Sequence, residues 1–195
     1  RGLGDVYKRQ VLVTLDITNE VADEAAEIGA ELIIAHHPVI FKPLYSLSEN
    51  EPSCKLLKSG ISAICVHTPY DVAEGGMSDI LMELTGFEKT EGILEITGQN
   101  YKTYGFGTIG IASQEYQVDE LAKKLKNVLG CTVVRYTDGG KPIKKAAFCT
   151  GSGGNLIIAA LNQGADAYIT SEVKHDQWPV SYTHLRAHET ELHLV

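Results

Sequence analysis

The sequence predicts an α/β fold made of two lobes of similar build. Short runs rich in apolar and β-branched residues alternate along the chain with segments whose apolar residues recur at helical spacing. A strand–helix–strand pattern occurs near each end of the chain, and each such pattern predicts a βαβ unit whose strands lie parallel. We therefore expect two βαβ-containing lobes built on parallel or mixed sheets.

The first βαβ unit is predicted close to the start of the chain. Val11–Asp16 is a short β-branched strand, and Glu31–Ala35 is a continuous apolar strand. Between them, a helix is predicted from Asn19, whose side chain can cap it, to Gly29, which can end it. The two strands are expected to lie side by side in one parallel sheet.

The second βαβ unit has a glycine-rich turn before its helix. Its predicted elements are the strand Lys145–Thr150, the turn Gly151–Gly154, the helix Asn155–Gln163 and the strand Ala165–Thr170. The turn could present backbone N–H groups to an anion, or it could serve tight packing of strand against helix. Between the two units, the predicted strands are Ile61–Val66, Thr108–Ala112 and Thr132–Tyr136, and the predicted helices are Ser78–Leu84 and Val118–Leu129.

The two ends of the chain differ from the rest. Residues 1–10 and 180–195 have no apolar period, and both resemble translated sequencing-adapter read-through. Frayed natural termini are the alternative. We expect both segments to be foreign to the fold, which leaves a first lobe at residues 11–99 and a second, truncated lobe at residues 100–179.

Charge and composition argue against several kinds of partner. The chain has 195 residues, and its 17 Lys and Arg against 25 Asp and Glu give a net charge of −8. This charge repels polyanions, so we expect no nucleic-acid partner. No apolar run reaches the roughly 20 residues of a membrane span, so we expect no membrane partner. The four cysteines are widely spaced without a Cys-x-x-Cys pair, which is typical of a protein of the reducing cytoplasm.

Two adjacent histidines stand at the end of a predicted strand. His36 and His37 follow Ala35 directly, and Pro38 ends the strand. Neighbouring side chains within a strand point to opposite faces, whereas the turn at its carboxyl end can bring both toward one crevice. In open α/β sheets that edge is where ligands bind.

A third histidine follows another predicted strand. His67 comes directly after Ile61–Val66, which we expect to be buried, and Asp71 lies four residues further along. Three imidazoles and a carboxylate at two strand ends form a plausible ligand set for zinc, iron or manganese. A histidine at a strand end is also often a structural residue held by hydrogen bonds, and spacing alone leaves both interpretations open.

Three blocks of the sequence resemble the Nif-three-like family, whose bacterial members are often called GTP cyclohydrolase I type 2 homologues. The blocks are LDITNEVADEAAEIGAELIIAHHPVIFKPLYSL, VHTPYDVAEGGMSDILMELTGF and CTGSGGNLIIAALNQGADAYITSEVKHD. They occur in the family's order between Val11 and Gln177. The His-His-Pro-x-x-Phe-Lys pattern of the first block and the His-Thr-x-x-Asp pattern of the second are specific.

This resemblance implies two divalent metal ions in a cleft between the two lobes. It also implies a ring-like homo-oligomer, commonly a hexamer. The family's adjacent histidines ligate one metal each, which maps onto His36 and His37, and the aspartate ligand maps onto Asp71. His67 matches the histidine of the same block, and we expect it to orient a ligand or to act as an auxiliary one.

The chain departs from the family pattern near its end. Family members supply a further histidine beyond the position of His175, and a glutamate four residues after it bridges both metals. Here the suspect tail takes that place, and Glu191 stands three residues after His188, so we do not expect it to replace the bridging glutamate. His175 is the second lobe's candidate for substrate contact or proton transfer, and a histidine of a surface loop is the alternative.

The function that the resemblance implies is a metal-dependent hydrolase acting on a nucleotide or a pterin precursor, with GTP cyclohydrolase as the named form. His67 and His175 would move protons, and Lys42 or the glycine-rich turn would meet a triphosphate. The alternative is a metal-binding interaction or regulatory protein without turnover. The two differ in whether a coordination position stays open to water.

Overall fold

A computed structural model of the protein describes residues 10–90, 95–97 and 104–174. The chain divides into two compact units, Arg1–Tyr70 and Asp71–Val195, and each is described by itself. The predicted lobe boundary between residues 99 and 100 falls outside the described ranges and stays a prediction. Nearly all of the two end segments predicted to be foreign, and the candidate His175, also lie outside the described residues.

The first unit is built on a three-stranded parallel sheet. Its strands are Gln10–Thr14 (β1), Ala30–Ala35 (β2) and Ser62–Cys65 (β3), and its helices are Asn19–Glu27 (α1), Pro52–Ser59 (α2) and His67–Asp71 (α3), the last of which runs into the second unit. The strand order is β1-β2-β3, and both pairs are parallel. The first predicted βαβ unit is therefore confirmed.

Helix α1 is capped by Thr18 and not by the predicted Asn19. Thr18 has extended backbone dihedrals, and its hydroxyl accepts a hydrogen bond from the Val21 N–H at 3.3 Å. Asn19 is already the first helical residue. The predicted cap is wrong by one position, because threonine and asparagine both cap helices well and the sequence offers them in succession.

The apolar core of the first unit lies where helices α1 and α2 pack on the central strand β2. Ile33 of β2 is fully buried and packs in one apolar cluster with Ala22 and Ala25 of α1 and Leu56 of α2. Strand β3, by contrast, is exposed along its whole length, so the prediction of a buried strand at Ile61–Val66 is wrong. β3 is the edge of this sheet, and its apolar sequence is not sufficient to bury it.

The second unit is built on a mixed sheet. Its strands are Phe87–Lys89 (β4), Glu95–Thr97 (β5), Tyr104–Phe106 (β6), Thr108–Tyr116 (β7), Ile143–Cys149 (β8) and Ala167–Thr170 (β9). Its helices are Met77–Leu84 (α4), Val118–Leu129 (α5) and Ile157–Asn162 (α6). The strand order is β4-β7-β8-β9, with β8 and β9 parallel and the other pairs antiparallel, while β5 pairs with β6. The parallel pair on either side of α6 confirms the second predicted βαβ unit.

The predicted strand Thr132–Tyr136 is wrong, because these residues have no regular secondary structure. Their β-branched run favours a strand locally, but a strand also needs a pairing partner. Strand β8 is already paired on both edges, by β7 and β9. Tyr136 instead donates a hydrogen bond from its hydroxyl to the carboxylate of Asp119 in α5.

Two expectations from composition can be compared with the structure. Among the described residues, no helix combines the length and the apolar character that crossing a membrane requires. Cys54, Cys65, Cys131 and Cys149, all within the described residues, form no disulfide bond. Cys149 is buried in β8, whereas Cys65 is exposed, and its thiol donates to the His36 carbonyl at 3.1 Å.

A buried carboxylate connects α4 to β4 in the second unit. The Asp79 side chain is 8% exposed and forms an ion pair with Lys89, whose side chain is 43% exposed. Asp79 also accepts a hydrogen bond from the Gly75 N–H at 2.9 Å. Burial, the largest single influence, acts to raise the pKa of Asp79, but Lys89, Gly75 and the Thr108 hydroxyl together outweigh it and hold that pKa below its ordinary value.

Replacing Asp79 with asparagine should lower the free energy of unfolding by about 1–3 kcal/mol near pH 7, because a buried charged acceptor is lost. The folded-state pKa lies below the unfolded-state value of about 3.9, so this stabilisation is present above that value and is lost as the pH falls through the folded-state pKa. Urea denaturation over a pH series would measure it. The exposed neighbour Glu88 provides the control, since Glu88→Gln should have little effect at any pH. A deficit in Asp79→Asn that does not shrink in acid would contradict this prediction.

Candidate metal centre

Backbone hydrogen bonds hold the adjacent histidines beside the end of the first strand. The His36 N–H donates to the Thr14 carbonyl at 3.3 Å, and the His37 N–H donates to the Leu15 carbonyl at 3.0 Å. These bonds continue the pairing of β1 with β2 past Ala35, where β2 ends. The backbone of both histidines is thereby fixed, which limits where their imidazoles can point.

His67 reaches the same edge of the sheet from the third strand. The Val66 N–H donates to the Ala35 carbonyl at 2.9 Å, which keeps β3 in register with β2 up to the residue before His67. The chain then enters α3, and Pro69 lies in the first turn of that helix, where its missing N–H leaves no helical bond unmade. Because β2 and β3 are parallel, the histidines that follow them lie at the same end of the sheet, beyond the carboxyl ends of its strands.

His36, His37 and His67 form a compact cluster. Taking one ring nitrogen from each, all three nitrogens lie within 4.8 Å of one another. The ring centroids are 5.0 Å apart for His36 and His37, 5.2 Å for His36 and His67, and 5.7 Å for His37 and His67. All three residues are partly buried. The structure thus brings together three of the four residues that the strand-end argument singled out.

The chemistry of this donor set fits a divalent transition metal. Imidazole nitrogens ligate zinc, iron, copper and nickel, and a neutral imidazole offers one lone pair. Three protein ligands also leave a position of a four-coordinate ion open to water or substrate, which is the arrangement of catalytic zinc sites. The three histidines could therefore hold one such ion.

A carboxylate that the sequence analysis did not single out contacts one member of the cluster. The Oδ1 atom of Asp16 lies 2.6 Å from Nδ1 of His37. Asp16 follows β1 and so stands at the same edge of the sheet as the histidines. The signal that points to it is the same as for the histidines, a polar residue at the carboxyl end of a strand, since Asp16 is the last residue of the predicted strand Val11–Asp16.

Two aromatic side chains lie beside the cluster. The Tyr70 ring centroid is 6.4 Å from that of His36, and the Phe41 ring centroid is 6.4 Å from that of His67. Phe41 is 75% exposed, and the adjacent Lys42 is exposed as well. An open apolar ring therefore stands next to the imidazoles, with an ammonium group on the following residue.

The remaining predicted site residues are not tested by this geometry. Asp71 is the last residue of α3, four positions after His67. The donor cluster found among the described residues consists of the histidines and does not include Asp71, whose role as a ligand stays a prediction. Proton transfer by His67 stays a prediction too, as does any role of His175, which lies outside the described residues.

The glycine-rich turn of the second unit serves packing. The Gly151 N–H donates to the Ser171 hydroxyl at 3.2 Å, and the Gly153 N–H donates to the Thr170 hydroxyl at 3.1 Å. The Tyr168 hydroxyl donates to the Gly153 carbonyl at 2.6 Å, and burial raises the pKa of this phenol. A Cβ on Gly153 would clash with that hydroxyl. The Gly151 and Gly153 N–H groups thus already have acceptors within the protein, which favours packing over anion binding at these two residues.

The chain is similar in sequence to a known family and to several of its members. The sequence profile of the family described as Duf34/NIF3 (NGG1p interacting factor 3) matches residues 3–191. NGG1-interacting factor 3 of Saccharomyces cerevisiae is 31% identical over 87% of this chain and 64% of that protein. A GTP cyclohydrolase 1 type 2 homolog of Clostridium perfringens is 34% identical over 89% of this chain and 68% of that protein. The chain thus spans about two thirds of the length of these relatives.

Solved structures agree with the sequence comparison. The crystal structure of a hypothetical protein of Staphylococcus aureus matches with a TM-score of 0.81 and 26% identity, over 94% of this chain and 73% of that chain. This likeness supports the α/β assignment, and the profile match confirms the resemblance carried by the three sequence blocks. The chain belongs to the Duf34/NIF3 (NGG1p interacting factor 3) family.

Proposed function

We propose that the chain is the metal-binding part of a cytoplasmic, metal-dependent hydrolase that acts on a nucleotide or a pterin precursor. The observation that carries this proposal is the cluster of His36, His37 and His67, whose donor nitrogens lie within 4.8 Å of one another. Relatives in the family bear the name GTP cyclohydrolase 1 type 2 homolog, which supports a reaction of this class.

The three imidazoles would hold one metal ion through one nitrogen each. This departs from the family resemblance, which would place His36 and His37 on different ions. A divalent ion held there lowers the pKa of a water molecule and stabilises negative charge that develops on the substrate. The position of His67 in the cluster favours a ligand role for it. A nitrogen whose lone pair binds a metal cannot accept a proton at the same time, so a ligand role excludes proton transfer through that nitrogen. Proton transfer would then fall to His175.

A second metal ion needs ligands beyond this cluster. We propose Asp71 as one of them, as the family resemblance implies. The chain spans 64% and 68% of the length of its first two relatives, so a dinuclear centre, with zinc, iron or manganese as the metal, is proposed for the full-length protein. The three histidines of this chain can hold one ion without the additional length of the relatives.

The surroundings of the cluster support a nucleotide-like substrate. The exposed ring of Phe41 lies beside His67 and offers a flat apolar surface on which a heterocyclic base can stack. Lys42 follows it and is exposed, so its ammonium group can meet a phosphate. The two side chains together match a ligand with a planar ring and an anionic group.

Metal content and turnover, measured together, test the proposal. The purified chain would be loaded with zinc, iron or manganese and desalted, its metal content measured, and a panel of nucleotides and pterins screened for product. The full-length relative from Clostridium perfringens is assayed in parallel, because it covers the length that this chain lacks. Metal-dependent product formation supports a hydrolase. Stoichiometric metal with no turnover in either protein supports the non-catalytic metal-binding alternative, and absence of bound metal overturns both.

We also propose that the protein assembles into the homo-oligomeric ring that the family resemblance implies. Light scattering coupled to gel filtration gives the molar mass directly. A mass of several times 21.2 kDa supports a ring, and a monomer mass contradicts it.

A further inference from the structure

We propose that Asp16 is a positioning residue for the metal centre, which fixes the His37 imidazole so that its Nε2 atom is presented to the ion. This inference rests on the proposed function, because it concerns how one of the proposed ligands is held. It is carried by the 2.6 Å contact between Asp16 Oδ1 and His37 Nδ1.

The backbone delivers Asp16 to this place. The Leu15 carbonyl accepts the His37 N–H at 3.0 Å, so the residue after Leu15 lies next to His37 at the end of the strand pair. The Thr14 hydroxyl donates to the Asp16 carbonyl at 3.0 Å, which holds the turn that follows β1. The carboxylate is therefore placed by the ends of two hydrogen-bonded strands and not by a free loop.

The contact selects one form of the imidazole. An ionised carboxylate can only accept a hydrogen bond, so the nitrogen that faces it must carry the proton. With the proton on Nδ1, the lone pair of neutral His37 is on Nε2. Such a carboxylate also makes the imidazole a stronger ligand, and losing an orienting partner of this kind typically lowers metal affinity about 10- to 100-fold.

Solvent sets the expected size of the effect. The Asp16 side chain is 54% exposed and that of His37 is 45% exposed, so water competes for both groups. We expect Asp16→Ala to weaken metal binding by about tenfold, the lower end of that range.

A second surface ion pair of the same unit provides a matched control. Asp23 contacts the Lys55 ammonium at 2.6 Å, and its side chain is 59% exposed. It therefore resembles Asp16 in bond length and in exposure, but its partner is not one of the three clustered histidines. Asp23→Ala should leave metal affinity unchanged.

The experiment is a cobalt(II) titration of the whole chain, followed by the visible absorption of the bound ion. The variants are Asp16→Ala, Asp16→Asn, Asp23→Ala and His37→Ala. We expect the affinity of Asp16→Ala to fall about tenfold, that of Asp16→Asn to fall less because its amide oxygen can still accept from Nδ1, and that of His37→Ala to fall most.

A second measurement does not depend on metal binding or on variants that fold. Nitrogen-15 chemical shifts of the His37 ring in the metal-free chain, recorded well above the ordinary histidine pKa, report which nitrogen carries the proton. The proposal requires the proton on Nδ1.

A proton on Nε2, or an Asp16→Ala affinity equal to wild type, overturns the role of Asp16. If His37→Ala has lost affinity while Asp16→Ala has not, the proposed metal centre stands and only this inference fails; if wild type binds no cobalt, both fail.

Discussion

Replacing His36 with alanine should lower the affinity of the chain for zinc by at least about 100-fold, because a direct ligand should contribute more than an orienting partner does. His36 has the two shortest ring separations in the cluster, 5.0 Å to His37 and 5.2 Å to His67. Its removal leaves two imidazoles, and two protein ligands rarely hold zinc against exchange with water. Competition with a chromophoric chelator measures the change.

The same substitution elsewhere in the chain provides the control for this prediction. His188→Ala removes a histidine of the tail that the sequence analysis predicts to be foreign, so zinc affinity should be unchanged. His67→Ala separates two interpretations of His67: a loss as large as that of His36→Ala supports a ligand, and a loss of about 10- to 100-fold supports an orienting partner. If His36→Ala binds zinc as wild type does, the cluster is not a metal centre.

The location of this cluster was predictable from sequence, whereas one of its contacts was not singled out. Apolar strands that end directly in His36 and His67 place both at the carboxyl edge of a parallel sheet, and the structure confirms that pairing. Asp16 lies on the same edge, yet an aspartate that ends a strand is common and carries no motif. Only the register of β1 with β2 shows that it lies beside His37.

Elements that depend on distant partners were the ones that sequence predicted badly. The strand Thr132–Tyr136 has strong local β-propensity, but β8 has no free edge for it. Strand β3 reads as buried because it is apolar, but its edge position leaves it exposed. The two βαβ units and the helices with a clear apolar period were predicted, because that period is local, whereas the short helices α2 and α3 were not predicted. Register and edge position are properties of the whole sheet, and a single segment does not encode them.

The second large effect is expected in the core of the second unit, at Phe148. Its side chain is fully buried in β8, with its ring centroid 5.1 Å from that of Phe87 in an edge-to-face arrangement. Phe148 is opposite Thr108 of β7 on one side and Ile169 of β9 on the other, so it lies in the middle of the sheet, and its ring packs in the apolar cluster of this unit. A smaller side chain there must leave a cavity.

Phe148→Ala should therefore lower the free energy of unfolding of this unit by about 3–5 kcal/mol, since it loses both the burial of the ring and its packing. Phe148→Leu keeps most of the volume and should cost about 1.5 kcal/mol or less. Ile158→Ala, at a side chain that is 44% exposed on α6, is the matched control in the same unit and should cost less than either. Hydrogen exchange of the β7 and β8 amides reads the local free energy without assuming that the two units unfold together. A loss in Phe148→Ala no larger than that in Ile158→Ala would mean that the Phe148 ring does not support the sheet, and the four-stranded core would then owe its stability to the backbone ladder and to the helices packed on it.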